Sequence, residues 1–298
     1  MRRWIPFLVA GLVLAACDGG ADGVTTTTTP TSVPTTAPAT VPPAPTEAGA
    51  AYFLAPGGEN PGRPGPFILP VHRELPAGDP GAAVTALLAG PSAGEMEAGI
   101  GTAVPAGTEL LAIDIADGIA TVDVTGTFDD GGGSFSMFAR LAQLVYTVTR
   151  YEGVDGVLLR LDGVDVEVFS SEGLILDRPM SRELTVPTEP NIPPFADLLP
   201  GILVDRPAWG EPVSGPFTVS GLAAAFEGVF QMELLDSDGA TIVAPPFVQA
   251  STGVGWGTFS VELDPGAATG PVRLRVWELS AESGDVVSER IYPLTLEE

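Results

Sequence analysis

The residues able to do chemistry form a short inventory. The 298-residue chain has one cysteine, Cys17, one histidine, His72, no lysine, and 38 Asp plus Glu. One cysteine makes no internal disulfide, and one cysteine with one histidine builds no His-rich or Cys-rich zinc or haem centre. Carboxylates leave oxygen-ligand calcium chemistry open. The nearest motif, D-S-D-G at 236–239, sets Asp236 and Asp238 in alternation but lacks the twelve-residue loop and closing Glu of an EF-hand, so it reads as a solvated hairpin turn. A serine nucleophile would need a base beside it, and His72 is the sole histidine to serve as one. Without lysine there is no phosphate-binding P-loop. Gly131 to Gly133 follow Asp129-Asp130 and lack the dinucleotide fingerprint. Paired carboxylates hydrolyse glycosides only at a fixed separation across a cleft, and 38 acids produce pairs by chance. The expectation is no enzyme, with no catalytic, cofactor-binding or metal residues. His72 is expected to be ordinary structure.

Charge narrows the partners. All 13 bases are arginine, and the formal net charge is -25. Nucleic acid and anionic lipid surfaces are disfavoured, since both require a basic face. At 45% apolar and 17% charged, the chain is not globally disordered.

Cys17 takes its meaning from its neighbours. Arg2 and Arg3 precede an apolar stretch, Trp4 to Ala16, that is short for a membrane span and ends in L-A-A-C. This resembles a bacterial lipoprotein signal, which implies a signal peptide over 1–16 and lipidation of Cys17, holding the protein on the extracytoplasmic face of a membrane. Residues 17–50 then read as a tether: Thr25 to Thr29 are unbroken Thr, and repeated Pro, Ala and Thr offer little to bury.

Residues 51–170 have the pattern of an α+β domain. Short apolar runs cover Tyr52 to Leu54 and Phe67 to Arg73. Asp79-Pro80 is a helix start, with Ala83, Val84, Leu87 and Leu88 as its apolar face and Gly90-Pro91 as its stop. Ser92 and Glu95 have capping-box spacing for about one more turn. Residues 108–124 read as a hairpin through Asp117-Gly118, with Leu111, Ile113 and Ile115 on one strand. The longest helix covers Phe135 to Arg150 with Ser134 as cap. Phe138, Leu141, Val145 and Val148 make its buried stripe, with Arg140 and Gln143 towards the rim. A last hairpin, 154–169, turns at Asp162-Gly163. Together these predict an antiparallel or mixed sheet with two main helices. Asp123 and Gln143 are polar within apolar motifs and predict satisfied hydrogen bonds.

The same stretches resemble the GerMN domain of bacterial sporulation and germination proteins and of certain envelope lipoproteins. The matching pieces include L-P-V-H-R at 69–73, A-L-L-A-G-P at 86–91, D-G-I-A-T-V-D-V at 117–124 and A-R-L-A-Q-L-V-Y-T-V-T at 139–149. The resemblance implies an extracytoplasmic structural or interaction domain and transfers no catalytic set.

Residues 171–199 read as a Pro-rich joint, and 200–298 as a strand-rich second domain. Strands are expected at Ile202–Val204, Phe217–Val219, Val229–Leu235, Phe259–Leu263, Val272–Leu279 and Ile291–Leu296. This fits an all-β immunoglobulin-like sandwich, and P-V-S-G-P-F-T-V-S-G at 212–221 and W-G-T-F-S-V at 256–261 resemble the immunoglobulin-like domain found beside GerMN domains. Glu227 falls in F-E-G at 226–228 and predicts a turn. The chain is thus expected to be a membrane-anchored lipoprotein with non-catalytic assembly or interaction modules, taking an envelope protein as partner, with links to sporulation, germination or envelope signalling. The alternative is a solute- or glycan-binding lipoprotein, for which Trp209, Trp256 and Trp277 are the candidate contacts.

Overall fold

The computed structural model describes residues 46–57, 65–170, 173–182 and 195–298. Cys17, the signal segment and most of the tether lie outside the described residues. So does much of the Pro-rich joint.

The first module opens with β1 (Thr46–Ala55) and β2 (Phe67–Pro76), paired antiparallel as a two-stranded ribbon. β1 therefore begins inside the stretch that composition assigns to the tether. Helix α1 (Pro80–Leu88) starts where Asp79 accepts from the Ala82 N–H, with Pro80 in the first turn. Helix α2 (Ala93–Glu97) is one turn with a complete Ser92–Glu95 capping box. Next come β3 (Leu110–Ala116) and β4 (Ile119–Val124), then α3 (Ser134–Val148), β5 (Gly156–Leu161), β6 (Val164–Asp165), β7 (Val168–Phe169) and β8 (Leu174–Ile175). The sheet β3-β4-β5-β6 is mixed, with β4 and β5 parallel across the α3 crossover. Asp117-Gly118 and Asp162-Gly163 both have two successive positive φ values, the backbone that tight two-residue hairpin turns require. The turn at 162–163 is fastened by the Gly163 N–H donating to Asp123 Oδ1 at 3.0 Å.

α3 is the centre of this module, and several expectations change there. Leu141, Val145 and Val148 are buried, but Phe138 stands 44% exposed. Arg140 and Gln143, expected at the rim, are instead buried. Residues 139 through 148 are buried all round because α1, β1, β2 and β5 pack on different sides of the helix. Gly133, not Ser134, is the cap; Ser134 is the first helical residue. On β3, Leu111 and Ile115 are exposed, since β3 is the edge strand and a register shift at Leu110/Ala112 disturbs its alternation. The last hairpin is cut short: only Val164 and Asp165 return along β5, after which β7 pairs with β8.

The second module contains β9 (Ile202–Arg206), β10 (Pro212–Ser214), β11 (Phe217–Ala223), β12 (Val229–Leu235), β13 (Thr241–Val243), β14 (Val248–Gln249), β15 (Gly257–Leu263), β16 (Gly270–Leu279) and β17 (Val286–Glu297). One sheet runs β10-β17-β16-β12-β13, with β14 also pairing β12; the other is β15-β11-β9. Val272, Leu274 and Val276 point into the core, where Phe230 meets Phe259 edge-on at 4.9 Å. This is the expected all-β immunoglobulin-like sandwich behind an α+β module.

The described residues of both modules belong to one compact unit. One hydrophobic cluster runs from the α3 core into Leu198, Leu199, Leu203 and Trp256.

Candidate interaction surface

The β1–β2 ribbon needs partners on both outer edges, because only its inner edges are paired. On the β1 side, the Tyr52 N–H donates to Thr147 Oγ1 at 3.0 Å and the Tyr52 carbonyl accepts from Gln143 Nε2 at 2.9 Å. Gln143 Oε1 also accepts from the Ala103 N–H at 2.8 Å, and Leu54 exchanges both backbone bonds with Gly101. Two side chains of α3 thus replace a missing strand, which is why a glutamine lies in the core.

On the β2 side, the partner comes from the second module. The Trp209 N–H donates to the Pro70 carbonyl and the His72 N–H to the Trp209 carbonyl, both at 2.9 Å. His72 is therefore mid-strand at the junction, its side chain mostly buried and its Nε2 3.4 Å from Glu74. From β17, Arg290 donates to the carbonyls of Pro56 and Gly57 and stacks over Phe67.

Charged groups complete the junction. Arg150, at the end of α3, donates to the Asp205 carbonyl and lies 3.5 Å from its carboxylate and 3.8 Å from Glu211. Arg182 reaches the same carboxylate at 3.1 Å, donates to the Tyr146 carbonyl, and stacks on the rings of Tyr52 and Tyr146. Arg206 donates to the Arg150 carbonyl at 3.0 Å. Burial pushes the Arg150 guanidinium down to about 9 and that of Arg182 to about 10, so both keep their charge at neutral pH. Burial raises the Asp205 carboxyl, and Arg206 opposes the rise. Arg182 belongs to the stretch composition marks as a joint, yet it is wedged between the modules. No sequence pattern announced this cluster, because its members lie as far apart as Arg150 and Glu211.

The three candidate tryptophans do different things. Trp209 joins the modules through its backbone, and Trp256 is buried in the shared cluster. Trp277 lies on an outer sheet face with Arg275 stacked 4.3 Å from its ring centroid. They do not converge on one groove. Asp236 is spent on its own turn, accepting from the N–H groups of Asp238 and Ala240. Glu227 sits in a turn with φ 54° and accepts through its carbonyl from Gln249. Among the described residues, no group of three or more His, Cys, Asp or Glu is placed to hold a metal ion, and no helix is long and apolar enough to cross a membrane.

Apolar side chains remain exposed in separate places. Leu158, Val168 and Ile175 border a groove on the outer face of the mixed sheet. Phe226, Phe247 and Val254 stand on second-module loops, and Phe135 and Phe138 on the first turns of α3.

Residues 50–167 match the family model described as Germane, sporulation and spore germination, and residues 201–285 match that of the immunoglobulin-like domain of bacterial spore germination. Among solved structures, the tandem GerMN domains of the sporulation protein GerM from Bacillus subtilis are 14% identical over 74% of this chain, with a TM-score of 0.39. This chain spans only 62% of that protein. The first GerMN domain of GerM alone is 20% identical, covering 46% of this chain and 99% of its own length, with a TM-score of 0.37. A candidate lipoprotein from Clostridium perfringens is 19% identical over 46% of this chain and 89% of its own, with a TM-score of 0.33. No curated protein matches the chain.

Proposed function

We propose, for a chain that carries a GerMN-type sporulation and germination domain followed by the immunoglobulin-like domain of bacterial spore germination, that it is a lipid-anchored envelope protein whose two modules act together as a non-catalytic recognition unit. One observation carries this reading. The charges at the junction, Arg150, Arg182 and Asp205, are spent on holding the modules together, and buried Arg140 on a loop of the first, while apolar side chains stand free on outer faces. A catalytic centre needs titratable groups held near a cavity and left available to substrate. A recognition unit needs a stiff scaffold with exposed apolar and charged surface. Domains of these two kinds are typically non-catalytic, which supports the same reading.

Anchoring rests on the box L-A-A-C and the basic start. Acyl chains on Cys17 would hold the folded unit at the extracytoplasmic face of a membrane without a spanning helix. The test combines fractionation with capture. Cys17→Ser should release the protein from membranes, and intact mass should show acylation only in the wild type. Detergent-solubilised wild type should retain an envelope protein in a pulldown and show no turnover in hydrolase and glycan-cleavage screens. Turnover lost in His72→Gln would overturn the non-catalytic reading. Glycan binding lost in Trp277→Ala would favour a glycan-binding lipoprotein instead.

A further inference from the structure

Cross-strand register builds a defined surface on the outer face of the mixed sheet. Asp114, Thr121 and Leu158 form one row across β3, β4 and β5; Asp123 and Arg160 fall in the next. The β7–β8 hairpin borders this face and makes it a groove of about 590 Å³. Its apolar lining is unusually open to solvent: Leu158 is 37%, Val168 59% and Ile175 71% exposed. Around these stand Asp165, Glu167 and Asp177. Among the described residues, the one guanidinium lining the groove, Arg160, is already bonded to Asp165 at 2.5 Å. Arg160 thus has Asp165 bonded to it and Asp123 directly opposite it across the β4–β5 register.

The groove is therefore apolar below and acidic around, with more carboxylate than its single arginine compensates. Several occupants fail on charge. A second copy brings the same net charge of -25 and no lysine. The chain's own tether carries no base between Arg3 and Arg63. An anionic lipid surface is repelled. A shared metal ion lacks the clustered ligands, since among the described residues no three acids are placed to hold one.

We propose that this groove docks an extended segment of an envelope partner in which apolar side chains are flanked, two positions away on either side, by Lys or Arg. In an extended chain, residues two apart share a face. The apolar pair then covers Leu158, Val168 and Ile175, and the cations reach the acidic rim. The proposal rests on the recognition reading above and names the chemistry of its partner.

The probe is a fluorescent peptide, Lys-Ser-Val-Ser-Val-Ser-Lys, with a control in which Glu replaces both Lys. Anisotropy titrations use the full chain in detergent. The lysine peptide should bind at least tenfold tighter than the control. Val168→Ser/Ile175→Ser should lose at least tenfold, and Glu167→Lys/Asp177→Lys should reverse the peptide preference. All four side chains are exposed, so thermal midpoints should stay with the wild type. Absence of binding to the wild type, or equal binding by the wild type and both variants, would overturn the proposal. So would groove-dependent pelleting with phosphatidylglycerol vesicles, which would make the occupant a lipid. The pulldown separates the two claims. An envelope partner still captured by both groove variants would sink the groove and leave the recognition reading intact. Peptide binding without any captured partner would do the reverse.

Discussion

The two modules treat buried polar groups in opposite ways. Among the described residues, the first buries Thr108, Arg140, Gln143, Thr147 and Arg150, while the second buries only Ser288. The cause is topology. In the sandwich, the long strands β12, β16 and β17 satisfy each other's backbones across one sheet. In the first module, the β1–β2 ribbon has two bare edges, and the loop around Phe128 to Gly131 needs donors that no strand supplies. Arg140 provides them, reaching the carbonyls of Phe128, Asp130 and Gly131. Polar residues on α3 thus do the work of a sheet neighbour. The lesson is that a helix packed on all sides makes its polar side chains part of the framework, and a charged residue at its end can become a joint between modules.

The sharpest way to break this comparison is at Arg150. Its side chain is 3% exposed and meets the Asp205 carbonyl and the carboxylates of Asp205 and Glu211. Removing one partner of a buried ion pair costs about 3–5 kcal/mol, and since Asp205 keeps Arg182 at 3.1 Å the lower end applies here. Arg150→Ala should lose that much in urea unfolding and turn one thermal transition into two, as the modules uncouple. A single transition with unchanged midpoint would refute the junction's energetic role.

The stripe on α3 gives the next largest effect. Leu141→Ala should lose about 2–5 kcal/mol, being buried. Phe138→Ala, at a half-exposed position, should stay within about 1 kcal/mol despite removing a larger side chain. Gln143→Leu keeps the volume but orphans the Tyr52 carbonyl and the Ala103 N–H, at about 1–3 kcal/mol for each group left unsatisfied. Equal losses for Leu141→Ala and Phe138→Ala would contradict the observed rotation of the helix.

The contrast also explains what could be read in advance. Strand alternation in β12, β15 and β16 translated directly into an inner and an outer face, because a sandwich buries one face of each sheet. The caps at Asp79 and Ser92 and the Asp-Gly turns were equally legible, since each depends on neighbours within four residues. Gln143 was not, because its burial depends on a ribbon some 90 residues away, which helical periodicity cannot see; Arg140 was not, because it serves the carbonyls of an irregular loop at 128–131 that leaves no pattern. Leu111 and Ile115 misled for the converse reason: apolar alternation does not say that a strand is an edge. The two-residue strands β6, β7 and β8 are too short to leave a pattern, so the groove beside them was invisible, and the exposed Val168 and Ile175 were indistinguishable from core.

A titration probes both cores at once. Tyr146 in the first module and Tyr292 in the second are each pushed by burial up to about 12, from an ordinary value near 10. The folded state holds these protons more tightly than the unfolded chain. Their contribution is therefore fully present below pH 10 and lost as pH rises through 12. Absorbance at 295 nm should show Tyr146 and Tyr292 ionising only as the protein unfolds. Normal ionisation of either one near 10 in a still-folded protein would show that its module's core admits water.

The smallest effect is expected at Arg275, which sharpens the comparison because it resembles Arg150 on paper. Both are arginines facing two carboxylates; Arg275 meets Glu233 at 2.9 Å and Glu289 at 2.5 Å, shorter than any ion pair of Arg150. Distance alone would rank Arg275 higher. But it lies on the outer face of the sandwich, 29% exposed beside a Glu289 that is 40% exposed, so water already solvates the charges and salt screens them. Arg275→Ala should cost about 0–1 kcal/mol, including its stacking on Trp277. That cost should shrink further in about 1 M salt, where the screening length falls to about 3 Å. The Arg150→Ala loss should persist there, because the Arg150 guanidinium is itself 3% exposed and out of reach of ions. If the two variants respond alike to salt, the difference between the modules is not one of burial.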